Sequence, residues 1–174
     1  MIIWVDGANG VGKSHVAMEL AEIFTNKNAE YIESDLYWMN LLKENFIKGL
    51  SGFNPYINKF FLEELRSIIE EKHDLGEMMI VSMSLVSKLC ETELLGYFEE
   101  KKIPMIHIIL EASNDTILSR IENDPIRDLS AQSQQKSNVR WQIDFLKNSY
   151  PNAIRISTEN KGIKEIIDEI KKFV

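Results

Sequence analysis

The chain has 174 residues, of which 44% are hydrophobic and 27% charged, and this is enough for one compact domain with an apolar core. Its 20 basic and 27 acidic residues give a net charge of −7, which argues against a general binding surface for nucleic acid or for an anionic membrane. The single cysteine, Cys90, cannot form an internal disulfide, so we expect a buried thiol in a reducing, cytoplasmic compartment.

The chain opens with a short β-prone run, residues 2–5, that leads directly into a glycine-rich segment. Residues 7–14 read Gly-Ala-Asn-Gly-Val-Gly-Lys-Ser and match the pattern G-x-x-x-x-G-K-[ST] without a mismatch. Helical spacing of apolar residues begins just after Ser14. Strand, loop and helix in this order predict a phosphate-binding P-loop.

The glycines of this loop permit backbone conformations in which successive N–H groups point at an anion. Lys13 would contact the β- and γ-phosphates, and the Ser14 hydroxyl would bind Mg²⁺. ATP and Mg²⁺ are therefore the predicted cofactors. The predicted nucleotide-binding residues of the loop are Gly7, Ala8, Asn9, Gly10, Val11, Gly12, Lys13, Ser14 and His15.

The rest of the chain alternates short apolar strands with helices. Further strands are predicted at 31–32, 78–83, 105–110 and 153–156. Further helices are predicted at 35–48, 91–101, 114–122 and 163–173, and two more begin at Pro55 and near residue 138. This alternation predicts a single α/β domain over residues 1–174 with a doubly wound parallel sheet. In such sheets, ligands bind at the carboxyl ends of the strands.

Acidic residues follow the second predicted strand. Asp35 could bind or deprotonate an acceptor hydroxyl beside the γ-phosphate, Glu33 is an alternative for that role, and capping of the next helix is the structural alternative for Asp35. Asp6, at the end of the first strand, could brace the loop or contact Mg²⁺ or substrate. The strand 78–83 ends without the acidic pair of motor-like ATPases, which favours a kinase of small molecules over a hydrolase.

The polar segment 122–138 is predicted to form a lid, with Asp124-Pro125 marking a turn at its start. Arg127 lies within it and would place a cation on the transferring phosphoryl group, and Arg120 on the preceding helix would contact the nucleotide. Solvated surface arginines are the alternative. Thr158, after the last strand, is placed to meet the nucleotide base or to cap a helix.

Residues 35–76 form the predicted substrate-binding region. Its aromatic side chains, which would form an acceptor pocket or part of the core, are Trp38, Phe46, Phe53 and Tyr56. The three histidines, His15, His73 and His107, are not spaced as metal ligands, and His107 is expected in the core.

The opening fourteen residues resemble the start of the tunicamycin-resistance ATP-binding proteins, which belong with P-loop kinases such as shikimate kinase and chloramphenicol phosphotransferase. Further similarity lies at 80–86, 106–113 and 158–170. The resemblance implies a five-stranded parallel core, use of ATP, and an acceptor-binding role for Asp35. It does not extend to 36–76 or 122–138, and antibiotic phosphorylation therefore stays open.

The residues favour an ATP- and Mg²⁺-dependent phosphotransferase that acts on a hydroxyl of a metabolite, nucleoside or antibiotic. Lys13, Asp35 and Arg127 are the predicted catalytic residues. One alternative is an ATP-binding protein that sequesters a toxic ligand without phosphorylating it. Another is a nucleotide monophosphate kinase, although 36–76 lacks a recognisable basic cluster for the acceptor's phosphate. The expected partner is a small-molecule acceptor, and the chain is expected to be a monomer or homodimer.

Overall fold

The computed structural model describes residues 1–43, 54–125 and 128–174. Its centre is a sheet of five parallel strands in the order β2-β3-β1-β4-β5. The strands are β1 (Ile2–Gly7), β2 (Ala29–Glu33), β3 (Met78–Ser82), β4 (Met105–Glu111) and β5 (Ile154–Ser157). The predicted α/β fold with a doubly wound, five-stranded parallel sheet is confirmed.

Helices cover both faces of the sheet. They are α1 (Lys13–Ile23), α2 (Ser34–Lys43), α3 (Lys59–Asp74), α4 (Lys88–Cys90), α5 (Tyr97–Glu100), α6 (Asn114–Glu122), α7 (Leu129–Asn148) and α8 (Ile163–Ile170), with 3-10 turns at Thr25–Lys27 and Pro55–Ile57. A π-helical segment, Glu91–Gly96, joins α4 to α5. Among the helices of the described ranges, none is long and apolar enough to cross a membrane.

The central strand β1 shows why the sequence of a central strand is almost continuously apolar. All six of its residues are buried, because helices cover both sides of the sheet. Ile2 and Trp4 point into one core layer, with α3 and the 88–100 helical region. Ile3 and Val5 point into the other layer, with α1, α6 and α8. The carboxyl end of β1 is thereby held rigidly at the centre of the molecule.

Helix α7 differs from the prediction, since it begins at Leu129 rather than near Asn138. Asp128 caps it, and the Asp128 side chain accepts a hydrogen bond of 2.8 Å from the Ala131 N–H. The first turns of α7 are rich in Ser and Gln, so they lack the apolar spacing by which a helix is recognised. Most of the predicted lid segment is therefore helical, while Arg127 lies outside the described residues.

The helix predicted at 91–101 starts earlier, at Lys88, where the Ser87 side chain accepts a 3.0 Å hydrogen bond from the Cys90 N–H. Cys90 is a free, buried thiol, as predicted, and its Sγ donates to the Tyr56 carbonyl at 3.3 Å. Burial raises the pKa of the Cys90 thiol to about 11. The predicted end of α2 at residue 48, and the aromatic residues Phe46 and Phe53, lie outside the described residues.

Candidate functional site

The glycine-rich loop connects the carboxyl end of β1 to α1 and turns sharply at three glycines. Gly7, Gly10 and Gly12 have φ values of +145°, +81° and +107°, which side chains rarely allow. Gly10 also needs its lack of a side chain for space, because a Cβ there would lie 2.6 Å from Cγ1 of the buried Ile121. The predicted P-loop backbone is therefore present.

The N–H groups of the loop divide into two sets. Two of them are used internally: the Val11 N–H donates to the Ala8 carbonyl at 3.2 Å, and the Asn9 N–H donates to Gln142 Oε1 at 2.8 Å. The first N–H groups of α1, at Lys13 and Ser14, have no acceptor within their own helix. They lie at the positive end of the helix dipole, a position that favours negative charge.

Asp6 braces the start of the loop. Its carboxylate is fully buried, and Oδ1 accepts hydrogen bonds from the N–H groups of Gly7 at 2.6 Å and Leu85 at 2.9 Å. Its Oδ2 lies 3.0 Å from Nε2 of His107, and the Ser84 hydroxyl donates to the Gly7 carbonyl at 2.8 Å. With both oxygens engaged by the protein, Asp6 takes the bracing role among the two that the sequence left open.

Arg120 braces the far side of the loop. Its Nη1 donates to the Val11 carbonyl at 3.1 Å and to Thr158 Oγ1 at 2.9 Å, and Nη2 donates to the Thr158 carbonyl at 2.9 Å. The Thr158 N–H donates to the Glu111 carbonyl at 2.7 Å. Arg120 and Thr158 thus connect α6, the P-loop and the end of β5, a structural role that the sequence analysis missed. Their predicted contacts with a nucleotide stay predictions.

One cleft of about 630 Å³ lies at the carboxyl ends of the strands and brings most of the predicted site together. The predicted residues that line it are Asn9, Gly10, Val11, Gly12, Lys13, Ser14, His15, Asp35, Arg120 and Thr158. Gly7 and Ala8, the first two residues of the loop, are buried and do not line the cleft. The cleft is also lined by residues that the sequence analysis did not single out, among them Met83, Gln135, Lys161 and Ile163.

Glu33 and Asp35 are two of the acidic residues that line this cleft. Asp35 is exposed in the first turn of α2, and Glu33, the last residue of β2, is partly buried and accepts a hydrogen bond from the Tyr31 hydroxyl. Burial, followed by the charge of Asp35, raises the pKa of Tyr56 well above its ordinary value. Both carboxylates, those of Glu33 and Asp35, line the cleft that contains the loop.

The cation of Lys13 lies in the same cleft, and its Nζ donates to the Ala8 carbonyl at 3.1 Å. Among the residues that the structure describes, no group of three or more His, Cys, Asp or Glu side chains could hold a metal ion. A magnesium ion at the loop would therefore depend on hydroxyl and single carboxylate oxygens together with phosphate oxygens, which are the hard ligands it prefers.

The chain belongs to the AAA domain family, whose model matches residues 2–142. Its fold is that of the P-loop small-molecule kinases. The tunicamycin resistance protein of Deinococcus radiodurans is 19% identical, with a TM-score of 0.72, and the match covers 99% of this chain and 94% of that one. A comparison with curated proteins gave no match.

Two kinases have similar structures. The APS kinase of Mycobacterium tuberculosis, solved in complex with AMPPNP and APS, is 18% identical with a TM-score of 0.67, and the match covers 98% of this chain and 95% of that one. A sugar kinase from Janibacter is 16% identical with a TM-score of 0.66, with coverages of 98% and 92%. At these identities the similarity establishes the fold.

Proposed function

We propose that the chain is an ATP- and Mg²⁺-dependent phosphotransferase that phosphorylates a hydroxyl of a small molecule. The observation that carries this proposal is the shared cleft: the P-loop and the carboxylates of Glu33 and Asp35 line one space of about 630 Å³. That space is large enough for a nucleotide and a small acceptor side by side. The kinase structures with the same fold add support.

In the proposed reaction, the triphosphate lies on the N–H groups at the start of α1, and Lys13 moves from the Ala8 carbonyl to the β- and γ-phosphates. The acceptor hydroxyl forms a bond to the γ-phosphorus as its proton passes to the Asp35 carboxylate. The bond between the γ-phosphorus and the bridging oxygen breaks, and ADP leaves. Arg127 is proposed to neutralise charge on the transferring group from the 122–138 segment.

The residues of the cleft fit a magnesium ion. Ser14 would be a direct ligand through its hydroxyl, and Glu33 is the carboxylate at the end of the neighbouring strand. When bound, Mg²⁺ would neutralise the charge that develops on the phosphate oxygens.

The first test replaces the loop cation. Lys13→Ala should weaken binding of Mg²⁺·ATP by about 10- to 100-fold, the value of a charge-assisted hydrogen bond, and should abolish turnover. Binding is measured by calorimetry, and turnover is measured by release of ADP in the presence of an acceptor panel. Lys147→Ala is the matched control, because Lys147 is exposed on α7 and outside the ATP cleft. Normal turnover in Lys13→Ala would contradict the proposal.

The second test separates catalysis from sequestration. Asp35→Asn should keep the affinity for ATP and lower turnover by about 10²- to 10⁴-fold, the usual contribution of a general base. Asp144→Asn, on the exposed face of α7, controls for the change in net charge. If the wild-type protein binds ATP but phosphorylates nothing in a broad panel of hydroxylated molecules, the chain is a binding protein. A wild-type rate in Asp35→Asn would assign the base to another residue, with Glu33 next.

A further inference from the structure

The carboxylate of Asp6 connects the start of the nucleotide loop to the segment after β3. Its Oδ1 accepts hydrogen bonds from the N–H groups of Gly7, at 2.6 Å, and of Leu85, at 2.9 Å. The Ser84 hydroxyl donates to the Gly7 carbonyl at 2.8 Å, and Ser84 lines the cleft. Both polar groups of the Gly7 backbone are therefore held, and Asp6 fixes the position at which the loop begins.

His107 orients this carboxylate. It is opposite Trp4 in the register of β1 and β4, so His107 and Asp6 project from the same face of the sheet. The imidazole Nε2 lies 3.0 Å from Asp6 Oδ2, and within the described ranges this is the one hydrogen bond to Oδ2. Because a carboxylate only accepts hydrogen bonds, Nε2 carries the hydrogen and donates it. The carboxylate is fully buried and depends on such donors in place of water.

Tyr150 closes the contacts into a ring. Its aromatic side chain meets the imidazole of His107 edge to face, with 4.9 Å between the centroids and 73° between the planes. The Tyr150 hydroxyl donates to the Leu85 carbonyl at 2.7 Å, and the Leu85 N–H in turn donates to Asp6. The four members of the ring are therefore Asp6, His107, Tyr150 and Leu85.

We propose that His107 and Tyr150 are positioning residues for the nucleotide loop. Neither lines the cleft, and both act through Asp6. His107 holds the Asp6 carboxylate in the orientation that fixes Gly7, while Tyr150 fixes the plane of the imidazole and the backbone of Leu85. A loop held in this way loses less conformational entropy when it binds phosphate.

This inference rests on the proposed function, and its test compares two amides at position 107. In His107→Gln, the amide nitrogen is as many bonds from Cβ as Nε2 of histidine, so it can donate to Asp6. In His107→Asn, the amide nitrogen is one bond closer to Cβ and falls short. Calorimetry with AMPPNP and Mg²⁺ is performed below the melting temperatures of both variants. The affinity should be about 10-fold lower in His107→Asn, the lower end of what a hydrogen bond to a charged group contributes, and close to wild type in His107→Gln.

A packing role alone would give the two variants the same affinity, because both lose the ring that contacts Tyr150. Equal AMPPNP affinity in His107→Gln and His107→Asn would therefore overturn the assignment of His107 and leave the proposed function intact. His73→Asn is the control and should bind AMPPNP as the wild type does, because His73 lies on α3 and outside the cleft. A wild-type protein that binds no AMPPNP overturns the proposed function, and this inference with it.

Tyr150→Phe keeps the ring against His107 and removes the hydroxyl that donates to the Leu85 carbonyl. The AMPPNP affinity should fall by about 3- to 10-fold, the usual contribution of one hydrogen bond. Tyr97→Phe is the matched control, because the Tyr97 hydroxyl donates to Glu70 Oε2 at 2.6 Å outside the cleft. Wild-type affinity in Tyr150→Phe, or an equal loss in Tyr97→Phe, would overturn the assignment of Tyr150.

A measurement on the wild-type protein makes the test independent of whether the variants fold. Nitrogen-15 NMR distinguishes an imidazole nitrogen that carries a hydrogen from one that does not. Nε2 of His107 should carry a hydrogen both with and without AMPPNP. An imidazole whose one hydrogen is on Nδ1 could not donate to Asp6, and that result would overturn the proposal.

Discussion

Single residues in the loop after β1 are constrained by backbone conformation and by space at the same time. Gly10 illustrates both, since its φ of +81° is in the left-handed region and a Cβ would lie 2.6 Å from Ile121 Cγ1. Ile121 is fully buried in α6 and has little freedom to move. The P-loop is therefore packed directly against the helix that also carries Arg120.

We predict that Gly10→Ala destabilises the protein without ligand through this contact. Gly76→Ala is the matched control, because Gly76 has a φ of +86° and nothing within 4 Å of its Cβ position. Both variants carry the strain of a left-handed alanine, and Gly10→Ala adds overpacking of about 1–3 kcal/mol. Its melting temperature should be lower than that of Gly76→Ala by roughly 2–12 °C. Equal melting temperatures would show that α6 yields to the added methyl group.

At the scale of elements, the P-loop is held by side chains from α6, α7 and the segment after β3. The Arg120 side chain donates hydrogen bonds to the Val11 carbonyl in the loop and to Thr158 Oγ1 after β5. Gln142 of α7 accepts a hydrogen bond from the Asn9 N–H. These contacts hold the loop backbone in its bent conformation in the absence of a ligand. A preformed site avoids the entropy cost of ordering the loop during binding.

We predict that Arg120→Met lowers the stability of the protein without nucleotide. Three hydrogen bonds are lost and buried carbonyl groups lose their donor, which should cost about 3 kcal/mol and lower the melting temperature by roughly 6–12 °C. Arg140→Met is the control, because Arg140 is exposed on α7. If Arg120→Met melted at the wild-type temperature and lost only nucleotide affinity, Arg120 would act as a nucleotide ligand and not as a brace.

The elements show what could be predicted from the sequence. The strands β1, β3 and β4 were predictable because each is a short, mostly apolar run. The loop was predictable because its glycines and Lys13 follow one pattern. The start of α7 was not, because its first turns are polar and only the cap at Asp128 indicates it. The hydrogen bonds that hold the loop in place were not predictable either. Asn9 and Gln142, for example, are 133 residues apart, and such pairs depend on the register of the whole sheet.

For the molecule as a whole, the distribution of charge says more about which ligands could bind than the net charge does. A chain with a net charge of −7 would repel a polyanion on average, yet the cleft that contains the P-loop is lined by the cationic residues Lys13, Arg120 and Lys161. The carboxylates Glu33 and Asp35 lie at the ends of β2 and α2 in the same cleft. We therefore expect the local placement of charge and backbone N–H groups, and not the net charge, to decide whether the cleft binds an anion.

The central claim is that the loop of residues 7–14 binds the phosphates of a nucleoside triphosphate. Calorimetric titration of the wild-type protein with AMPPNP and with GMPPNP, each with Mg²⁺, tests it most directly. We expect saturable binding of one nucleotide per chain for at least one analogue, and its loss or a 10- to 100-fold weakening in Lys13→Ala. Absence of binding heat from both analogues, or equal heat from wild type and Lys13→Ala, would contradict the claim.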